Sequence, residues 1–194
     1  MSGRVIVAMS GGVDSAVAAR LLRRTGHDVQ GLHKSNWEGD AEGYCTAAED
    51  FQDARRVCGE LGIPLHRVSF AREYRDQVFA HFLAEYAAGR TPNPDVLCNR
   101  EIKFGACLAY ARRLGAERFA TGHYARIAPG PGGPRLLRAV DGGKDQTYYL
   151  FGVPRAALRR TVFPLGDLTK AEVRAQAAAA GLVTADKPES MEIC

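Results

Sequence analysis

Ser10-Gly11-Gly12-Val13-Asp14-Ser15 is the segment of this chain best suited to holding a phosphate. It directly follows the apolar run Val5-Ile6-Val7-Ala8-Met9. That order predicts a buried strand, a glycine turn and a helix opening near Asp14. Two adjacent glycines let backbone N–H groups converge with no side chain in the way. Ser10 and Ser15 add hydroxyls, and the new helix offers its positive end to an anion. A Walker A loop needs Gly-Lys-Ser/Thr after a longer spacer, and no such Lys follows Gly12.

A second candidate is Thr91-Pro92-Asn93-Pro94-Asp95-Val96-Leu97-Cys98-Asn99. Its two prolines hold the backbone out of regular structure. Asp95 and Cys98 lie three apart. Cys98 is expected just ahead of a helix, where the helix N-terminus lowers a thiol pKa, with Lys103 able to help by folding back. A thiolate is a nucleophile, and a neighbouring carboxylate can move protons. The same pattern also suits a rigid loop with a half-buried Cys. His123, after Gly122 at the end of a predicted strand, suits either a ligand contact or a structural role. Lys144-Asp145-Gln146, ahead of Tyr148-Tyr149, suits either a nucleic-acid contact or a helix cap.

The remaining cysteines are Cys45, Cys58, Cys107 and Cys194. Cys58 and Cys107 fall on or beside apolar helical stripes and are expected in the core. The odd total and the absence of a C-x-x-C pair argue against a disulfide framework and a zinc ribbon. Their spacing does not suit an iron–sulfur cluster. His27, His66 and His81 have no partners at metal-ligand spacing, so they read as structural and no metal site is expected.

The elements that must position these residues alternate. Strands are predicted near Arg4–Met9, Asp28–Leu32 and Leu65–Val68. Helices are predicted over Asp14–Thr25, around Phe51–Leu61 and around Val78–Tyr86. The β-α-β-α-β-α order implies a parallel sheet with helices on both faces and a ligand site at the carboxyl ends of its strands. Gly89–Leu97 reads as a loop, Asn99–Leu114 as a helix and Arg118–Thr121 as a strand. Tyr124–Ile127 and Arg135–Ala139 read as a hairpin, and Lys170–Ala180 as a last helix ended by Gly181.

The chain has 194 residues, 46% hydrophobic and 25% charged, with a formal net charge of +4. These values suit a globular protein of one domain, or one domain and the start of another. No apolar run approaches the roughly 20 residues of a membrane span. MSGRVIVAM is too short and strand-like for a signal peptide. A cytoplasmic protein is therefore expected. Arg55-Arg56, Arg112-Arg113 and Arg159-Arg160 read as solvated helix faces rather than an RNA track. The mild positive charge permits a nucleic-acid partner without requiring one.

SGGVDS resembles the PP-loop of enzymes that split ATP into AMP and pyrophosphate. Further matches are NW at Asn36-Trp37, YCTAAED at Tyr44–Asp50, AGRTPNPDVLCNREIKFG at Ala88–Gly105 and ATGHYAR at Ala120–Arg126. KDQTYYL at Lys144–Leu150, FPLGDLTKAEVR at Phe163–Arg174 and KPESMEIC at Lys187–Cys194 extend them to the end of the chain. With these the chain resembles the N-terminal catalytic domain of the tRNA-specific 2-thiouridylase family. TPNPDVLCN and the final E-I-C are the specific parts of that likeness.

The resemblance implies a Rossmann-like, adenine nucleotide alpha hydrolase-like fold. Residues 1–165 would form the PP-loop ATP-binding domain, and residues 166–194 its terminal segment with the persulfide cysteine. It implies ATP contacts at Ala8, Met9, Ser10, Gly11, Gly12, Val13, Asp14, Ser15, Lys34 and Gly122. Mg²⁺ would bridge the phosphates with Asp14 as an indirect ligand. Leu32-His33-Lys34-Ser35 departs from the usual family pattern, and Lys34 takes the place of an adenosine-contacting residue. The implied tRNA contacts are Asn93, Pro94, Asp95, His123, Lys144, Asp145 and Gln146.

The implied reaction adenylates the C2 oxygen of a wobble uridine. The cysteine matching Cys194 receives persulfide sulfur from a cysteine desulfurase or a sulfur-relay protein, and the one matching Cys98 resolves it to a disulfide. Asp95 would handle a proton. Members of the family continue into a connecting domain and a C-terminal β-barrel that help grip tRNA, so this chain is expected to bind tRNA weakly, as a monomer. Another PP-loop thiolase or ligase, or a non-catalytic ATP-binding fragment, are the competing readings.

Overall fold

The computed structural model describes residues 2–37 and 47–188. The first strand, β1 (Ser2–Ala8), leads to α1 (Val13–Arg24), β2 (His27–Ser35), α2 (Ala47–Leu61) and β3 (Leu65–Ser69). A helical rod over residues 71–87 comes next, made of α3 (Ala71–Tyr74), a π-helical stretch (Arg75–Phe79) and α4 (Ala80–Ala87). A second rod over residues 94–113 repeats the pattern with α5 (Pro94–Leu97), a π-helical stretch (Cys98–Cys107) and α6 (Leu108–Arg113). The chain continues through β4 (Arg118–Ala120), the antiparallel pair β5 (Arg126–Ala128) and β6 (Arg135–Leu137), and the single turns α7 (Thr147–Leu150) and α8 (Arg155–Leu158). It then adds β7 (Thr161–Val162) and α9 (Lys170–Ala179).

Five strands form one parallel sheet in the order β3-β2-β1-β4-β7. β1 takes the centre because Val5-Ile6-Val7 is buried on both faces, as a strand covered by helices on each side requires. Val5 and Val7 pack with α1, α2 and α9 through Val17, Ala54, Val57, Val173 and Ala177. Ile6 points the other way, into a core with Leu32, Tyr74, Val78, Ile102, Phe119 and Leu150. The chain builds β1, β2 and β3 outward, then crosses back to β4 beside β1. The order therefore reverses between β1 and β4, where open α/β sheets bind their ligands.

The structure revises some predicted bounds. The loop over Gly89–Leu97 is shorter, because a helix starts at Pro94. Asn93 Oδ1 accepts from the N–H groups of Asp95 at 3.1 Å and Val96 at 3.3 Å, and Pro94 suits a first helical position. β7 and α8 have no counterpart in the sequence reading, since two to four residues carry no measurable periodicity, whereas α7 starts directly after Lys144-Asp145-Gln146, where the helix-cap alternative puts a helix. Among the described residues no helix is long and apolar enough to cross a membrane.

Candidate nucleotide and thiol site

The loop after β1 turns at Gly11, whose φ is +81°. A Cβ there would lie 2.3 Å from the Asp50 carbonyl oxygen, so the loop packs directly against the start of α2. Ser15 is buried. Its Oγ donates to Gly12 O at 3.0 Å, accepts from Ser10 N at 3.2 Å and lies 3.2 Å from Ser10 Oγ. A hydroxyl has one proton. Ser15 therefore staples the loop shut, while Ser10 is an exposed residue whose Oγ also accepts from Gly12 N at 3.4 Å. Gly12 caps α1 without a side chain. The first N–H groups of α1 thus have no side-chain acceptor at the cap and suit an anion.

Gly122, just past β4, closes the other side. A Cβ on it would sit 2.8 Å from Ser15 N and 2.9 Å from Asp14 C. The fold thereby gathers Ala8, Met9, Ser10, Gly11, Gly12, Val13, Asp14, Ser15 and Gly122 at the switch point. Met9 ties this group to the neighbouring strand. Its N–H donates to Leu32 O at 2.9 Å, and His33 Nδ1 donates to its carbonyl at 2.9 Å. Lys34 is half-buried at the carboxyl end of β2, in register with Val68.

Asp14 holds a cation already. Lys170 Nζ reaches its two carboxylate oxygens at 2.7 and 2.8 Å, and the Tyr124 hydroxyl donates to Oδ1 at 2.8 Å. Sequence reasoning gave Lys170 and Tyr124 no role. One signal was present in Thr169-Lys170-Ala171-Glu172, which is a capping box. Thr169 Oγ1 accepts from Glu172 N at 3.3 Å, and Glu172 Oε2 accepts from Thr169 N at 2.7 Å. That box fixes Lys170 as the first residue of α9. Asp14 paired in this way does not suit a divalent ion as well. Among the described residues no group of three or more His, Cys, Asp or Glu side chains could hold a metal.

Cys98 departs from expectation. It lies four residues beyond the helix start at Pro94, not ahead of it, and is 0% exposed. The field of a helix N-terminus fades within the first turn, so that route to an activated thiol is absent. Cys98 shares its core with Ile102 and Leu150. Asp95 is half-buried as the second residue of α5. Asn99 Nδ2 donates to Tyr149 O at 3.1 Å, while its buried Oδ1 has no partner among the described residues. Cys58 and Cys107 are core residues as expected, and burial pushes the Cys58 thiol up to about 11. Cys45 and Cys194 lie outside the described residues.

Residues 144–150 link the cradle to the Cys98 turn. Gln146 Oε1 accepts from Tyr124 N at 3.0 Å, and Gln146 N donates to Tyr124 O at 3.0 Å. Asp145 accepts from Ala139 N at 2.8 Å and from the Thr147 hydroxyl at 2.6 Å. Burial raises its pKa, but the Thr147, Ala139 and Arg138 partners outweigh that and hold it below the usual range. Both side chains thus brace the fold here. Lys144 is half-buried at the turn before them.

His123 is buried between Phe104 and Phe163, with Nδ1 2.7 Å from Thr121 Oγ1. Burial, and then the nearby Lys103 charge, hold its pKa well below 6.5, so it folds as a neutral ring. Burial lowers His33 too. Below pH 6.5 the unfolded chain takes up protons that these native rings refuse, so their contribution is full above that pH and lost as pH falls. The slope is about 1.4 kcal/mol per pH unit for each fully neutral ring. Melting temperature should drop between about pH 7 and about pH 5.5, and His123→Phe should drop less steeply. An equal slope in both proteins would remove His123 from this account.

The sheet order, the glycine cradle and the reversal of strand order between β1 and β4 define an α/β protein of the PP-loop, adenine nucleotide alpha hydrolase fold. The chain belongs to the family described as tRNA methyl transferase HUP domain, which matches residues 3–194. It is 57% identical over 192 residues to the tRNA-specific 2-thiouridylase MnmA of Chromohalobacter salexigens, covering 98% of this chain and 50% of the relative. It is 58% identical over 193 residues to that of Sodalis glossinidius, covering 98% and 52%. The chain thus spans about half the length of the curated relatives it matches. Among solved structures, the U34-tRNA thiolase NcsA from Methanococcus maripaludis aligns with a TM-score of 0.63 at 19% identity, over 98% of this chain and 60% of that one. A 4-thiouridine synthetase in complex with RNA and ATP aligns at 0.59 and 18%, over 96% and 43%. At these identities the likeness is one of fold.

Proposed function

We propose that this chain carries the ATP-using and sulfur-transferring half of a tRNA 2-thiouridylase. The observation that carries the reading is the Ser10–Ser15 cradle, closed by Gly122 and bridged through Tyr124 and Gln146 to the turn that bears Cys98. The names of the relatives supply the substrate class, a tRNA uridine.

ATP, when bound, supplies an adenylate leaving group for the C2 oxygen of the uridine. The N–H groups at the start of α1 and the Ser10 hydroxyl would hold its phosphates. Ala8, Met9 and Lys34, at the ends of β1 and β2, would line the adenosine side. Lys170 neutralises Asp14 so that the cradle presents no net negative charge. The pairing of Asp14 leaves any Mg²⁺ to the phosphates themselves.

The sulfur chemistry belongs to two thiols. A persulfide on Cys194, charged by a cysteine desulfurase or a relay protein, attacks C2 through its terminal sulfur, and AMP leaves. Cys98 thiolate then attacks Cys194 Sγ, so the S–S bond to the base breaks, a Cys98–Cys194 disulfide forms and the base keeps the outer sulfur as a thiocarbonyl. The two electrons come from Cys98, and an external thiol must reduce the disulfide before the next turnover. Asp95, three residues from Cys98, would accept or return a proton. The burial of Cys98 means that the 94–98 turn must open for this exchange.

The test incubates the chain with unmodified tRNA, Mg-ATP and a persulfide-generating desulfurase, and measures 2-thiouridine by mass spectrometry after digestion. Product is expected, and it should vanish in both Cys98→Ala and Cys194→Ala. ATP binding without product would favour the non-catalytic fragment.

A further inference from the structure

Residues 185–187 are clamped twice, although they follow the last helix and belong to no regular element. Lys187 Nζ lies between two carboxylates of α2, 2.7 Å from Asp50 Oδ1 and 2.5 Å from Asp53 Oδ2. Arg174 of α9 donates to Ala185 O at 2.8 Å and to Lys187 O at 3.2 Å. Asp50 is also the residue whose carbonyl meets Gly11 of the phosphate loop. Residues 185–187 are therefore tied, through Asp50, to the turn that cradles phosphate.

A surface lysine beside one carboxylate would mean little, since exposed pairs contribute about 0–1 kcal/mol. Lys187 differs because it is mostly withdrawn from water and sits against two carboxylates, with side-chain exposures of 26%, 23% and 19% for Lys187, Asp50 and Asp53. Arg56 reaches Asp53 from the solvent side at 3.7 Å, so the two acids share two cations. The sequence places Cys194 seven residues beyond Lys187. Seven residues reach at most about 24 Å. Where Lys187 is anchored thus bounds where Cys194 can act.

We propose that Lys187 is a positioning residue that latches the terminal arm to α2 above the phosphate loop, so that Cys194 is delivered to the nucleotide side of the sheet edge. The inference rests on the sulfur-transfer reading above. It assigns to Lys187 neither contact with ATP nor a part in bond making. It predicts that occupancy of the cradle and order of the arm are coupled through Asp50.

Amide hydrogen exchange read by mass spectrometry tests this on the whole chain. Without nucleotide, Lys187→Met should exchange about tenfold faster across residues 182–188 than the wild type, and Lys187→Arg should restore most of the protection. Mg-ATP should slow exchange across residues 9–16 and 182–188 together in the wild type. In Lys187→Met it should slow only residues 9–16. In the thiolation assay, Lys187→Met should lower kcat while leaving KM for ATP unchanged. Equal exchange across 182–188 in wild type and Lys187→Met would overturn the latch. A failure of the nucleotide reading would look different, as residues 9–16 left unprotected by ATP in the wild type. The nucleotide-free comparison decides the latch in either case.

Discussion

Gly11→Ala should destabilise the chain by about 3 kcal/mol and abolish ATP binding. Two effects combine. Gly11 has φ +81°, where an L side chain pays about 1–2 kcal/mol of strain. Its new Cβ would also lie 2.3 Å from Asp50 O and 2.7 Å from Asp50 Cα. Both are backbone atoms that cannot swing aside, and forced overpacking of this kind typically costs about 1–3 kcal/mol. The loop would have to part from α2, which opens the cradle and spoils the convergence of its N–H groups. Gly26→Ala is the control. Gly26 has φ +82°, at the far end of α1, and a Cβ there meets nothing within 4 Å. It should show the strain alone. For a chain of this size about 1 kcal/mol shifts melting by about 2–4 °C. Thermal unfolding should therefore separate the two variants clearly, and calorimetry should find ATP bound by Gly26→Ala alone. Equal melting shifts would mean that the close approach to Asp50 is relaxed in solution.

The cradle was legible in the sequence because its signals are local. Val5-Ile6-Val7 announces a central strand, Gly11-Gly12 a turn, and Val17, Ala18, Leu21 and Leu22 a helix stripe, all within twenty-five residues. The sheet followed from alternation of elements. The chemistry around Asp14 was not legible, because Tyr124 and Lys170 lie 110 and 156 positions away from it. No periodicity reports a contact of that range. Asn93 shows a different limit. Its side chain was read as part of a proline-broken loop, yet Asn-Pro-Asp is also a capped helix start. That one choice moved Cys98 from a helix N-terminus into a buried helical turn. Asp145 and Gln146 were open between nucleic-acid contact and structural capping. The hydrogen bonds to Ala139, Thr147 and Tyr124 show what their inward oxygens hold.

Lys170→Met should weaken pyrophosphate binding about tenfold to a hundredfold and leave adenosine binding nearly unchanged. The substitution keeps most of the stem but removes the charge that both Asp14 oxygens hold. Asp14 then stands as a carboxylate without its cation, two residues past the capping Gly12 in the first turn of α1, close to where phosphate charge would sit. Repulsion of that kind at close range, in a partly buried site, amounts to about 1–3 kcal/mol. Stability should fall by about 2 kcal/mol, because side-chain exposures of 12% for Lys170 and 32% for Asp14 place the pair between the surface and the core. The discriminating protein is the double variant Asp14→Asn, Lys170→Met. If Lys170 serves to neutralise Asp14, removing the carboxylate as well should return pyrophosphate affinity to within about threefold of the wild type, with stability recovering in parallel. If the affinity stays low while stability returns, the ammonium acts on the phosphate itself. The geometry favours the first outcome, since the ammonium is spread across both oxygens of Asp14 and lies 5.8 Å from the Tyr124 ring centre. Calorimetry with pyrophosphate, ATP and adenosine on the three proteins separates the cases, because only a charge effect discriminates among ligands that differ in phosphate alone.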